Sequence, residues 1–109
     1  MKRIATLVLL LALFPSFGFA GEIYGSLTEG EKSIGEGVQV EAMCANKSYP
    51  TSTDKYGSYR FFVQEKGRCV LKVHYKQQSP TIEISSYETS VRYDLVLEKK
   101  DGQYFLRRK

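Results

Sequence analysis

The stretch Thr53-Asp54-Lys55-Tyr56-Gly57-Ser58-Tyr59-Arg60-Phe61-Phe62-Val63 decides how this chain is read. It joins a turn to a strand. Asp54 opens the turn, because its short carboxylate can accept hydrogen bonds from backbone N–H groups two residues on. Gly57 closes it, supplying a left-handed or close-approach position. Tyr59, Phe61 and Val63 then recur with period two, so one face of the strand is apolar. Phe62 lies between inward residues and must point out.

The same period recurs outward from this stretch. Val38, Val40, Ala42 and Cys44 alternate with Gln39, Glu41 and Met43. Cys69, Leu71, Val73 and Tyr75 alternate with Val70, Lys72, His74 and Lys76. Val91, Tyr93, Leu95 and Leu97 share one side of a further stretch. No apolar stripe of period 3.6 is long enough for a helix. Strands are expected at 22–28, 38–44, 51–53, 58–64, 69–76, 81–85, 91–98 and 103–107, with turns at 46–50 and at Lys100-Asp101-Gly102. Seven or eight half-buried strands in so short a chain imply an all-β, antiparallel two-sheet sandwich.

The first twenty residues read differently. Lys2 and Arg3 precede an uncharged apolar run from Ile4 to Phe14, and Pro15 and Gly18 break it before Ala20. Gly18 and Ala20 place small residues at −3 and −1 of a cut before Gly21. This is the layout of a secretory signal peptide, with export to the periplasm or beyond. The run is about half of the roughly 20 residues a membrane span needs, and no second such run follows. The alternative is an uncleaved N-terminal anchor. The domain is then residues 21–109.

Of 109 residues, 42% are hydrophobic and 26% charged, which excludes a disordered chain. Removing Lys2 and Arg3 from sixteen basic side chains leaves fourteen against twelve acidic ones, a net of +2. That is too little for a nucleic-acid-binding stripe. The excess sits in Arg107-Arg108-Lys109, which reads as a solvated end. Cys44 and Cys69 share the inward parity of their strands. In an oxidising compartment they are expected to form a disulfide if those strands are antiparallel neighbours. A redox or metal pair is the alternative, but C-x-x-C spacing is absent and the lone His74 cannot complete a zinc site. No cofactor is implied, and neither a nucleophile–histidine arrangement nor a carboxylate pair stands out.

The motif order resembles the carboxypeptidase regulatory-like domain family. Gly21-Glu22-Ile23-Tyr24-Gly25 is similar to its opening strand. Thr53-Asp54-x-x-Gly57-x-Tyr59-x-Phe61 is similar to its T-D-x-x-G-x-Y-x-F signature, and Tyr93-Asp94-Leu95-Val96-Leu97 to a later strand. The resemblance implies a transthyretin-like (prealbumin-like) Greek-key sandwich serving as a non-catalytic accessory module. Transthyretin-like hydroxyisourate hydrolases carry several active-site His and a C-terminal Y-R-G-S, whereas this chain has His74 alone and ends Leu106-Arg107-Arg108-Lys109. Lys–Asn isopeptide domains need an Asn in the last strand, and the single Asn here is Asn46.

Parity sends Tyr24, Phe62 and Val96 away from the core, and the resemblance places their strands in one sheet. They form the expected binding surface, a contiguous apolar patch for a glycan or a cell-envelope protein. The bland alternative is cross-strand pairing that merely stabilises the sheet. The expected function is thus an exported, non-catalytic binding module. The rivals are a small transthyretin-like hydrolase and a purely structural envelope protein. Intact-mass measurement of the exported protein should give Gly21 as the N-terminus. A mass that includes Met1–Ala20 would establish the anchor instead.

Overall fold

The structure is a computed structural model and describes residues 21–109, so the signal-peptide segment lies outside the described residues. The first sheet is built around β1 (Gly21–Glu29). On one side β1 pairs antiparallel with β5 (Ser58–Val63) and with the short β2 (Lys32–Ser33). On the other side it pairs parallel with β8 (Val91–Arg92) and β9 (Leu95–Lys100). Antiparallel to β9 lies β10 (Gln103–Arg108), the far edge. The second sheet runs β4-β3-β6-β7, wholly antiparallel, from β3 (Gln39–Cys44), β4 (Lys47–Ser52), β6 (Gly67–His74) and β7 (Thr81–Ser86). The result is an all-β sandwich.

The alternating residues form the core. Ile23, Leu27, Tyr59, Phe61, Leu95 and Leu97 of the first sheet meet Val40, Ala42, Leu71, Val73 and Ile84 of the second, all buried. The two sheets share this interior because each strand commits every second side chain to it.

Four expectations need correction. Among the described residues there are ten strands, not seven or eight. One extra is β2. The other arises because residues 91–98 are split at Tyr93-Asp94. There the Asp94 carboxylate accepts the Ser26 N–H at 3.0 Å, so a side chain replaces a ladder acceptor. The sheets are not purely antiparallel, because β8 and β9 run alongside β1 in its own direction. The turn expected at 46–50 shrinks to Ala45-Asn46, and Lys47–Ser52 pairs with β3. Pro50 is tolerated there because β4 is an edge strand and needs no N–H on its open side. The strand expected at 69–76 stops at His74. Lys76 and Gln77 both take positive φ, at 49° and 67°, in a tight turn closed by paired Tyr75 and Gln78 backbone bonds.

That turn belongs to a clamp between the sheets. Tyr75 and Tyr104 donate their hydroxyls to the two carboxylate oxygens of Glu29, at 2.8 and 2.9 Å. The two rings meet edge to face at 5.4 Å. Gln78 donates to the Gly102 carbonyl and accepts the Tyr104 N–H. Tyr75's hydroxyl bond, then that of Tyr104, holds the Glu29 carboxyl below the usual range.

Cys44 and Cys69 stand opposite one another on β3 and β6, with Cα atoms 4.4 Å apart, and form the disulfide. The short separation is that of a non-hydrogen-bonded antiparallel pair. The bond closes 25 residues of chain. Replacing both with Ala should lower the free energy of unfolding by about 3.5 kcal/mol, the chain-entropy value for such a loop. Urea denaturation of the oxidised protein against the double variant measures it.

Candidate functional site on the outer face of the first sheet

Residues of even number on β1 point away from the core. Tyr24 is one of them, with Arg60 opposite it on β5 and Arg92 opposite it on β8. The Arg92 guanidinium lies 6.0 Å from the Tyr24 ring centroid. Both arginines are held by carboxylates: Arg60 by Glu22 at 2.6 Å and Arg92 by Asp94 at 3.0 Å. Asp94 is held in turn by the Ser26 N–H and hydroxyl, at 3.0 and 3.1 Å. Burial alone would raise the Asp94 pKa, but the bonds from Arg92 and Ser26 outweigh it and leave the carboxyl below its ordinary value.

An open groove of about 440 Å³ begins at this aromatic–arginine row and runs to the edge of the second sheet. Tyr24, Arg60 and Arg92 line one wall, and Thr51, Ser52 and Asp54 the other. Hydroxyl, carboxylate and guanidinium groups therefore converge from both sheets beside one aromatic ring. Such a surface offers donors, acceptors and an apolar plate to a neutral, hydroxyl-rich ligand. The paired charges leave little net field for an ion.

The turn signature builds the groove's end. Asp54 Oδ1 accepts the N–H groups of Tyr56 and Ser58, at 2.9 and 3.0 Å. Gly57 has φ 78°, and a Cβ on it would lie 2.6 Å from Ser33 Oγ and 3.0 Å from the Leu27 carbonyl. Thr53 is buried, accepts the Val38 N–H and donates to the Gly35 carbonyl. Tyr59 and Phe61 turn into the core. The Tyr59 hydroxyl donates to the Tyr93 carbonyl at 2.6 Å, and burial, with Asp94 nearby, pushes its pKa up. These five residues shape and support the groove.

The expected surface of Tyr24, Phe62 and Val96 is only partly present. All three lie on one face of one sheet. Phe62 is 62% exposed, diagonal to Tyr24 and directly opposite Glu22. Val96 is a correction, being 3% exposed and closed to a ligand. It points outward by parity and stands outside the core cluster. However, β9 is a central strand, and Val96 sits between Thr28 and Arg107 in the register. Arg107 is tied diagonally to Glu98 at 2.9 Å, and such a long stem can cover an apolar neighbour. The patch is therefore charged and aromatic rather than contiguous and apolar. Phe105, 48% exposed on the same face, is an aromatic absent from the expected surface, and its alternation with Tyr104 and Leu106 is the signal that places it.

On the opposite face, His74 is exposed, with Nδ1 3.0 Å from Ser79 Oγ and Nε2 3.5 Å from Glu41. Glu41 also accepts from Ser48, which holds its carboxyl low. Asn46 occupies the exposed turn between β3 and β4. Among the described residues no group of three or more His, Cys, Asp or Glu side chains is placed to hold a metal ion.

No family model matches the chain, and no curated protein does. Among solved structures the fold is similar to part of the Bacillus anthracis TIE protein, at TM-score 0.60 and 15% identity. The match covers 73% of this chain and 16% of that one, so this chain spans a small fraction of that protein's length. At this identity the likeness concerns fold alone.

Asp94 gives the site a measurable acid limb. Its folded pKa is depressed, so its contribution is complete above the ordinary carboxylate range and is lost as pH falls through the lowered value. Asp94→Asn should cost about 1–2 kcal/mol at neutral pH, since it removes charge-assisted bonds. Denaturation midpoints of wild type and variant should converge on acidification. A constant gap would mean that the carboxylate's charge contributes nothing.

Proposed function

We propose that this chain is an exported, non-catalytic β-sandwich module of the carboxypeptidase regulatory-like kind that binds carbohydrate along the groove beside Tyr24. The observation that carries this reading is the convergence of Tyr24, Arg60, Arg92, Asp54, Thr51 and Ser52 on one open groove. An open groove suits a chain passing along the surface better than a small molecule needing enclosure.

The compartment rests on two supports. The Cys44–Cys69 bond belongs to an oxidising environment such as the periplasm or the exterior. Among the described residues no helix is long and apolar enough to cross a membrane, while the basic, apolar and small-residue order of Met1–Ala20 matches a cleaved leader. Against the hydrolase reading, His74 stands on the face opposite the groove and bonds Ser79. It is not near the Tyr24–Arg92 row.

A glycan array followed by affinity electrophoresis tests the proposal. Wild type should be retained by a polysaccharide, and Tyr24→Ala should weaken retention about tenfold, the effect of losing one aromatic contact. Both proteins should melt alike, because Tyr24 lies outside the core. Retention by no polysaccharide would overturn the reading, and so would equal retention of the folded variant.

A further inference from the structure

Each sheet of the sandwich has two edges, and an edge strand exposes backbone groups that can pair with another chain. Hydrogen-bond parity says which groups these are. Leu27 donates to the Gly57 carbonyl, so residues of odd number on β5 face β1. Ser58, Arg60 and Phe62 therefore turn their N–H and C=O outward.

The other edges are blunted. On β4 Pro50, which has no N–H, interrupts the outward row between Ser48 and Ser52. On β7 the Tyr93 hydroxyl takes both the N–H and the C=O of Ser85, and Arg108 donates to the Glu83 carbonyl. On β10 the Gln78 side chain takes the Tyr104 N–H and the Arg107 guanidinium takes the Arg108 carbonyl, so of the outward residues only Leu106 keeps both groups open. On β5, Asp54 takes both backbone groups of Ser58. Arg60 and Phe62 then remain, two successive outward residues with no partner for N–H or C=O among the described residues. The open groove beside Arg60 leaves room for a strand along this edge.

We infer that β5 pairs, antiparallel and edge to edge, with β5 of a second copy of this chain. The register follows from the open groups. A two-fold axis at Phe61 sets Arg60 opposite the partner's Phe62, and Phe62 opposite the partner's Arg60. Both are hydrogen-bonding positions, so four main-chain bonds form. Each Arg60 guanidinium then lies beside the partner's Phe62 ring, and the exposed aromatic gains a cationic neighbour. The pairing ends where Asp54 already occupies Ser58. An interface this short belongs to the weak, concentration-dependent class. It needs no carbohydrate, because Tyr24 is not an edge residue, and a glycan lying along the groove would compete with the partner strand at Arg60.

Sedimentation of the chain lacking residues 1–20, across a concentration series, with amide exchange followed by NMR, tests it. The weight-average mass should rise towards the dimer, and the Arg60 and Phe62 amides should become protected as it does. Phe62→Lys faces the partner's Arg60 with a like charge twice and should weaken the dimer roughly tenfold. Arg60→Glu/Phe62→Lys restores opposite charges in the same register and should bring the dimer back, whereas a merely apolar contact would stay lost. Tyr24→Ala should dimerise like wild type, so failure here and failure of the glycan reading are separable. A monomer at every concentration would overturn the inference. So would Arg60 and Phe62 amides protected only in the presence of another protein, since another chain's strand would then fill the edge. Should Phe62→Lys fail to fold, the exchange data on wild type still decide.

Discussion

A missing side chain governs the first sheet. A Cβ on Gly25 would lie 1.8 Å from the Tyr93 carbonyl oxygen, so that carbonyl can lie against β1 only because residue 25 is glycine. The same oxygen accepts the Tyr59 hydroxyl from β5. Tyr93 therefore ties the two neighbours of β1 to it at one level. Gly21 does similar service at the start of the strand, where a Cβ would meet the Tyr87 carbonyl at 1.9 Å. Two close approaches on β1 set where the chain enters from the second sheet and so where β8 stops and β9 begins.

The groove follows from this arrangement. With Tyr93 drawn down onto Gly25, Asp94 reaches the Ser26 N–H, and Arg92 is held by Asp94 beside Tyr24. At the other wall the Asp54 turn carries the chain from β4 to β5 across the open side of the sandwich. The site is thus bounded by two places where a carboxylate substitutes for a main-chain acceptor. Each fixes backbone that regular pairing does not.

The second sheet is held by different means. The disulfide joins β3 and β6 at one end, and the Glu29–Tyr75–Tyr104 clamp joins the sheets near the other. The clamp accompanies two consecutive non-glycine residues at positive φ, Lys76 and Gln77, a conformation that L-residues adopt at a cost. The bonds around the turn offset that cost. The Glu29 carboxylate accepts two hydroxyls, which an uncharged acceptor would hold less strongly.

Local chemistry alone sufficed for much of this molecule. Period-two alternation fixes which side chains of β3, β5, β6 and β9 turn inward, because a strand has only two faces. The Asp54–Gly57 turn was legible because its bonds span at most four residues. The Cys44–Cys69 pair was legible on the condition that their strands are neighbours. Only the tertiary structure supplied that adjacency, the parallel pairing of β8 and β9 with β1, and the short strand β2. It also decided that Val96 is covered, since parity gives a direction but not what neighbouring strands lay over it. The groove escaped the sequence for the same reason, as Tyr24, the Thr51–Asp54 stretch and Arg92 come from three separated segments. The open edge of β5 depends on the partners that side chains from distant segments give to the other edges.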